Sequence, residues 1–411
     1  MSDASARWSL VFANIGHAYA HLIMIIYPTV VLVLDAAFPL SYPELLTLAF
    51  PGFVLFGALA LPAGWLGDRW SALGMMAVFF IGTGVSSVLT GFAQTPWQIG
   101  AGLAAIGAFA AIYHPVGLAW IVRVSFRRGK ALGFNGLIGG IGIASAPLVA
   151  GALSELISWR AAFIVPGVIG ILTGLLFIYL VKTGLLAVPA TDRKVEPEPP
   201  RRDRVRVFMV LAVTVLLGGL IYQSLAVAMP KVFDEGLRGL TQGTVLGVGG
   251  MVALVYLFGG LAQIVGGHLA DKYPLKTVYL VSYMLLAPVL FIAAGTEELG
   301  LLLAASAVVF INVGSLPAEN TLMARYTPGK WRGTVFGAKF VLTLGVSALG
   351  VPLVAFIYGL GQGFTVLFVA LSGIAVIVIV AAAFLPAEPK AEAIVAPAPT
   401  PRPGGTETSA E

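Results

Sequence analysis

The sequence predicts an all-α membrane protein, with twelve transmembrane helices in two pseudo-symmetric six-helix bundles. Three observations carry that prediction: the composition, the length of the apolar runs, and a repeat of landmarks between the two halves. Of 411 residues, 58% are hydrophobic and only 10% charged, and the mean hydropathy is +0.95. A soluble domain carries about 25% charged residues, so this chain cannot cover a water-facing surface of its size. The 50 glycines follow no collagen-like period, and in an apolar setting they point to closely packed helices. With no cysteine, disulfide frameworks, thiolate metal sites and cysteine nucleophiles are all excluded.

A spanning helix needs roughly 20 mainly apolar residues. Reading from the N-terminus, runs of that length bounded by charge or turn residues fall at 9–34, 43–66, 73–92, 97–121, 131–153 and 162–182. Six more follow at 207–229, 242–267, 275–295, 299–323, 333–358 and 363–385. Unbroken apolar stretches such as Leu367 to Leu385 contradict the alternating strands of a membrane barrel. The first run contains Asn14, His17 and His21 and lacks an A-x-A-like cleavage site after it, so it is expected to be a retained helix and not a signal peptide. Between the sixth and seventh runs, residues 183–206 are rich in proline and charge and read as a cytoplasmic linker. Residues 386–411 hold six prolines among Ala, Thr, Glu and Gly and read as a disordered cytoplasmic tail. The expected organisation is therefore a bundle over 1–182, the linker, a bundle over 207–385, and the tail.

The formal charge of +5 and pI near 9.4 would suit nucleic acid in a soluble protein. Sorted by position, however, 20 of the 24 Lys and Arg residues fall on one side if the N-terminus is cytoplasmic. Only Arg160, Lys231 and Arg238 lie opposite, and Lys339 lies within a helix. That asymmetry is the positive-inside pattern of a multi-pass protein with both termini in the cytoplasm, and it removes the support for nucleic-acid binding.

The halves repeat each other at an offset of 202 to 204 residues. Pro28 answers Pro230, His21 answers Gln223, and Asp68 answers Asp271. Pro115 to Arg123 answers Pro317 to Arg325, and Arg128-Gly129 answers Arg332-Gly333. Two six-helix halves of the same orientation imply a pseudo-two-fold axis along the membrane normal, with a substrate path between them.

These landmarks carry a family resemblance over residues 9–385. Gly64-Trp65-Leu66-Gly67-Asp68-Arg69 and Gly267-His268-Leu269-Ala270-Asp271-Lys272 resemble the G-x-L-a-D-R/K loop of the major facilitator superfamily, and Trp159-Arg160-Ala161-Ala162-Phe163 resembles another of its common elements. The resemblance implies the major facilitator fold, with Gly64, Asp68, Arg69, Gly267, Asp271 and Lys272 at a cytoplasmic gate. In the first copy Trp70-Ser71 replaces the usual Gly-Arg/Lys continuation. Gly133, Gly142, Ala146-Pro147 and Ala150-Gly151 are similar to the family's fifth-helix antiporter motif, two of whose glycines are alanine here. Asn14, His17, His21 and Tyr27-Pro28, with Tyr113-His114-Pro115, resemble bacterial exporters of the fosmidomycin-resistance type. That likeness implies proton-driven export of small, often anionic, compounds.

Polar groups inside membrane helices are costly and normally face a cavity. Asn14, His17 and His21 share one face of the first helix by their i, i+3, i+7 spacing. They are expected either to line the cavity, in substrate contact or protonation, or to hydrogen-bond between helices. His114 precedes Pro115 and either joins them or satisfies a carbonyl that the proline frees. Glu319 is the one carboxylate well inside a run, and Lys339 is the matching base at similar depth. They are expected to pair, and the pair is a candidate switch in which proton uptake by Glu319 frees Lys339 for an anion. Asn135 occupies the repeat position of Lys339; Asn312 precedes Glu319 on the same helical face and Asn320 flanks it; Tyr222 and Gln223 lie on the seventh helix. Together with Tyr27 these supply neutral hydrogen bonds to a substrate.

No Walker A loop, no G-x-S-x-G and no metal-ligand cluster at helical or loop spacing occurs. The expectation is a secondary transporter, not an enzyme, with no cofactor or metal beyond a proton gradient. It resides in the inner membrane, takes a small-molecule substrate, has the lipid bilayer as its partner and suffices as a monomer. Export by proton antiport leads; import of an organic anion by proton symport and a non-transporting sensor are the alternatives.

Overall fold

The computed structural model describes residues 3–125, 128–186, 201–327 and 332–386. The tail from 387 onward and most of the stretch read as a linker lie outside those residues. Among the described residues there is no strand, and twelve helices are long and apolar enough to cross a membrane. They are Ala4–Val33, Tyr42–Arg69, Ala72–Gly91, Pro96–Val124, Ala131–Leu156, Ala161–Lys182, Arg204–Gly236, Val245–Lys272, Leu275–Ala293, Glu298–Tyr326, Gly337–Gly359 and Thr365–Ala383, referred to below by order. Some helices reach further than the sequence reading: the first is already formed at Asp3, and the seventh runs from Arg201, inside the stretch read as linker, to Gly236. Arg206, exposed at this end, suits the first turns of a helix that continues into the membrane.

Caps start the helices where the sequence supplies them. Ser71 Oγ accepts from the Gly74 N–H at 2.9 Å, and Thr244 Oγ1 from the Gly247 N–H at 2.9 Å; Thr95 and Gln98 form a capping box. Prolines interrupt the helices nearest the centre. The first bends at Ile26 ahead of Tyr27-Pro28. The fourth carries a π-helical turn over Tyr113–Gly117 around Pro115, and the tenth breaks at Ser315 ahead of Pro317. The eleventh carries a π-helical turn at Val341–Gly345 followed by a 3-10 turn at Val346–Leu349. A missing proline N–H and a wide turn both free backbone groups, which in a membrane is tolerated only where protein covers them.

In the first half the third helix packs on the sixth, and Arg160 donates to the carbonyls of Gly91 and Ala93 at 3.0 and 2.6 Å, closing the end of the third helix. Phe79, Phe80, Tyr113, Trp120 and Phe177 fill the core between them and the first and fourth helices. In the second half the ninth helix packs on the twelfth and tenth.

Two seams join the halves. The fifth helix lies along the eighth, where Gly249 leaves room for the Pro147 carbonyl. The second lies along the eleventh, where a Cβ on Gly57 would collide with the backbone of Gly345. Contact continues toward both ends of the second seam, from Leu61 against Gly337 to Tyr42 against Tyr358, whose ring centroids are 5.0 Å apart. The small residues of the fifth-helix motif thus meet two neighbours: Gly142 admits the Ala18 carbonyl of the first helix, while Pro147 and Gly151 meet the eighth.

Candidate functional site

The first helix presents the predicted polar face inward, and the fourth and fifth helices meet it. His17 is buried, with its Nδ1 2.8 Å from the Asn135 carbonyl oxygen of the fifth helix. A carbonyl can only accept, so His17 donates from Nδ1 and leaves Nε2 as its acceptor. His21 Nε2 lies 3.2 Å from that Nε2 and donates to it. The Asn135 side-chain amide donates to Asn14 Oδ1 and to the Tyr113 hydroxyl, both at 2.9 Å. Tyr113 in turn donates to the Ala13 carbonyl at 2.8 Å. The tyrosine ring stacks on His17 with centroids 4.9 Å apart and planes at 17°.

His114 joins this group from the π-helical turn. Its ring centroid is 5.3 Å from His17 and 5.2 Å from His21, both edge-on. Phe340 of the eleventh helix stacks on its other side at 4.9 Å, and Phe56 of the second lies at 5.7 Å. His114 is only 6% exposed, and neither ring nitrogen has a hydrogen-bond partner. The structural role of satisfying a carbonyl freed by Pro115 is therefore not the one it plays. The ligand atoms of His17, His21 and His114 lie within 4.8 Å of one another. Spacing along the sequence shows no such histidine cluster because the third ring comes from another helix.

The second polar group is in the other half. Glu319 and Lys339 are 2% and 7% exposed, and Lys339 Nζ lies 2.7 Å from Glu319 Oε1. Tyr279 of the ninth helix donates to Glu319 Oε2 at 3.0 Å, and Lys339 also donates to Asn320 Oδ1. The expected pair is thus formed, between the tenth helix just after its break and the eleventh just before its π-helical turn. Lys339 is followed directly by Phe340, so adjacent residues of the eleventh helix serve the two polar groups.

The remaining predicted residues are more scattered. The Tyr27 hydroxyl donates to the Leu45 carbonyl at 2.6 Å, tying the first helix to the second. Gln223 and Asn312 are buried, and Gln223 keeps an unpartnered Nε2. Tyr222 is half-buried and Asn320 exposed. Asn14 also borders a cavity of about 430 Å³ lined by Val11, Ile15, Ala18, Tyr19, Leu22, Phe134 and Ile138. That cavity lies on the outer side of the first and fifth helices, where Val11, Ile15 and Phe134 are exposed, and the histidines take no part in it.

In the first copy of the G-x-L-a-D-R/K loop, Asp68 accepts from Arg123 at 2.7 Å. Arg123 ends the fourth helix, so this pair joins two helices of the same half. Gly64 and Gly67 let the second helix approach Pro115 and Val116. Arg69 lies over the Trp65 ring at 5.3 Å. In the second copy Asp271 is exposed, Lys272 lies over Tyr273 at 5.6 Å, and nothing crowds Gly267.

Sequence reasoning passed over Tyr279, Phe340 and Gly139, and gave no site role to Tyr113 or Arg123, which it named only within a motif and a repeat. Gly139 is required by the site, because a Cβ there would lie 2.5 Å from His17 Cε1. Arg123 had a visible signal as a repeat landmark matched by Arg325; Gly139 had none beyond a glycine-rich run.

Twelve membrane-crossing helices, interrupted near the centre beside buried charges, define a membrane transporter. The chain belongs to the Major Facilitator Superfamily, whose family model matches residues 12–257 and 243–407. It is 36% identical over 118 residues to the puromycin resistance protein pur8 of Streptomyces alboniger, covering 28% of this chain and 22% of that one. It is 36% identical over 129 residues to the cephamycin export protein CmcT of Amycolatopsis lactamdurans, covering 30% and 25%. The matched regions span about a quarter of the length of those relatives. Among solved structures, a bacterial homolog of the human lysosomal transporter Spinster, inward-facing and occupied, superposes with a TM-score of 0.74 at 16% identity over 94% of this chain and 97% of that one. A peptide transporter POT in complex with sulfate gives 0.73 at 15% identity over 92% and 94%. At these identities the likeness is one of fold.

Proposed function

We propose that this protein is a proton-coupled exporter of small organic compounds, working by alternating access in the inner membrane with both termini in the cytoplasm. Its halves, residues 1–182 and 207–385, rock about the fifth–eighth and second–eleventh seams, and Asp68 and Arg123 hold the cytoplasmic end of the second helix on the fourth. The observation that carries the reading is the buried Glu319–Lys339 pair, 2.7 Å apart between two helices of one half. A proton taken up by Glu319 cancels its attraction for Lys339 and frees the ammonium for an anionic group of the substrate. The groups facing Glu319 are Lys339 from the eleventh helix, Tyr279 and Tyr283 from the ninth, and Asn320 beside it. Asn14, Asn135, Gln223 and Asn312 supply neutral contacts for the substrate. The export direction draws support from the relatives named for puromycin resistance and cephamycin export.

The test is flux in proteoliposomes under an imposed pH gradient, with puromycin and cephamycin in the panel. Export coupled to inward proton movement is expected, and Glu319→Gln should retain substrate binding while losing the dependence on the gradient. Unchanged gradient dependence in that variant refutes Glu319 as the coupling group. Uptake in the direction of the protons would establish the symport alternative, which Lys339 as an anion contact equally permits.

A further inference from the structure

His17, His21 and His114 form a group that proton coupling through Glu319 does not use. We propose that these three rings bind a borderline divalent metal ion of the zinc class, whose fourth position takes an anionic donor of the transported molecule. The distances suit such an ion. The two Nε2 atoms of His17 and His21 are 3.2 Å apart, while tetrahedral coordination at metal–nitrogen bonds of about 2.0–2.1 Å sets ligand atoms roughly 3.3–3.4 Å apart; when the ion replaces the hydrogen bond between them, His21 carries its proton on Nδ1 and offers the Nε2 lone pair. All three rings' ligand atoms lie within 4.8 Å of one another, so a rotation of the His114 ring completes the triad.

Two independent features point to a ligand. The Asn135 carbonyl accepts from His17 Nδ1 at 2.8 Å, which fixes the ring's tautomer and directs its Nε2 lone pair at the cluster. That is the outer-shell arrangement usual behind metal-bound imidazoles. His114 is buried with both ring nitrogens unpartnered, and a buried polar atom without a partner is costly unless something fills the place. Ligand type selects the ion. Three imidazole nitrogens suit zinc, cobalt, nickel or copper, whereas magnesium and calcium require oxygen. Among the described residues no carboxylate belongs to the group, so the ion keeps its double charge in a low-dielectric site and favours an anionic fourth ligand. That last clause rests on the export reading; binding by the triad does not.

Purified full-length protein, with its affinity tag removed, is titrated with Co2+ as the spectroscopic probe and with Zn2+ as competitor. The expected result is saturable binding with the intense absorption of tetrahedral cobalt, displaced by zinc. His114→Gln and His21→Ala should weaken it by roughly 100-fold, at least the loss seen when only an outer-shell partner is disturbed. His268→Ala, at the one histidine outside the cluster, should leave it unchanged. His114→Gln keeps the test sound should His21→Ala misfold, since the His114 ring holds no hydrogen bond in the fold. Cobalt binding that survives in His114→Gln, or that only His268→Ala removes, overturns the proposal; so does the absence of binding in the native chain. The readout needs no substrate and no gradient, so its failure leaves the export reading standing. Conversely, tetrahedral binding without coupled flux would sink the export reading alone. Zinc-dependent retention of an anionic cargo, lost in His114→Gln, is expected for the fourth ligand; retention indifferent to zinc removes that clause.

Discussion

Replacing Lys339 with methionine keeps most of the side chain's volume and leaves Glu319 without its cation. At 2.7 Å and an effective dielectric of 20, the attraction lost is about 6 kcal/mol. The ammonium's own desolvation cost, several kcal/mol, is regained at the same time. The net loss for breaking a buried pair from one side is about 3–5 kcal/mol, and Glu319→Gln, which strands the lysine, should cost a similar amount. The double variant removes both desolvation costs, and its glutamine oxygen can still accept from Tyr279. It should therefore lie within about 2 kcal/mol of the native protein. Thermal unfolding in detergent, followed by tryptophan fluorescence or by the monodisperse fraction surviving heating, gives the four corners of the cycle. The expected order places both single variants well below the double, which sits near the native protein. A double variant whose loss equals the sum of the single losses would show no coupling and refute the buried-pair account. So would two single variants as stable as the native chain.

Gly139→Ala puts a Cβ 2.5 Å from the His17 ring, so the ring must leave the Asn135 carbonyl; a loss of about 1–3 kcal/mol is expected, against no loss for Gly373→Ala, where nothing lies within 4 Å. Both are measured by the same melting assay. Asp68→Asn and Arg123→Ala remove a pair whose carboxylate is 69% exposed, so stability should fall by no more than about 1 kcal/mol; transport rate should nonetheless drop, and an undiminished rate would exclude the pair from the gate. Gly57→Val forces the second helix off Gly345 and should bias the protein toward an open seam. The chain has no cysteine, so a single cysteine at buried Gln223 reports this as faster maleimide labelling in the Gly57→Val background.

The spans were legible because hydropathy and helix period are local properties: each run carries its own requirement for a membrane. The pairing of Glu319 with Lys339 was legible for a related reason. A charge deep in an apolar run has few affordable partners, and only one base lay at the same depth. His114 was harder. Its neighbour Pro115 suggested a local role at a freed carbonyl, and the structure instead turns the ring toward His17, His21 and Phe340 through a π-helical turn that no spacing rule anticipates. The loop carrying Asp68 was recognisable as a motif, yet the partner of Asp68 depended on the second helix crossing the end of the fourth. The start of the seventh helix at Arg201 was missed because charge and proline end a hydropathy run before they end a helix.

By itself the sequence determined that the chain enters a membrane, how many times it crosses, and which few polar groups must be accommodated there. Those follow from the cost of placing backbone and charge in hydrocarbon, paid residue by residue along the chain. Only the tertiary structure decided which polar groups meet. Two seams of small residues set the distances between helices, a glycine at position 139 admits an imidazole to a carbonyl of the fifth helix, and a proline-widened turn delivers a third histidine from the fourth. Close packing is a property of pairs of helices, and a single run of sequence does not contain it.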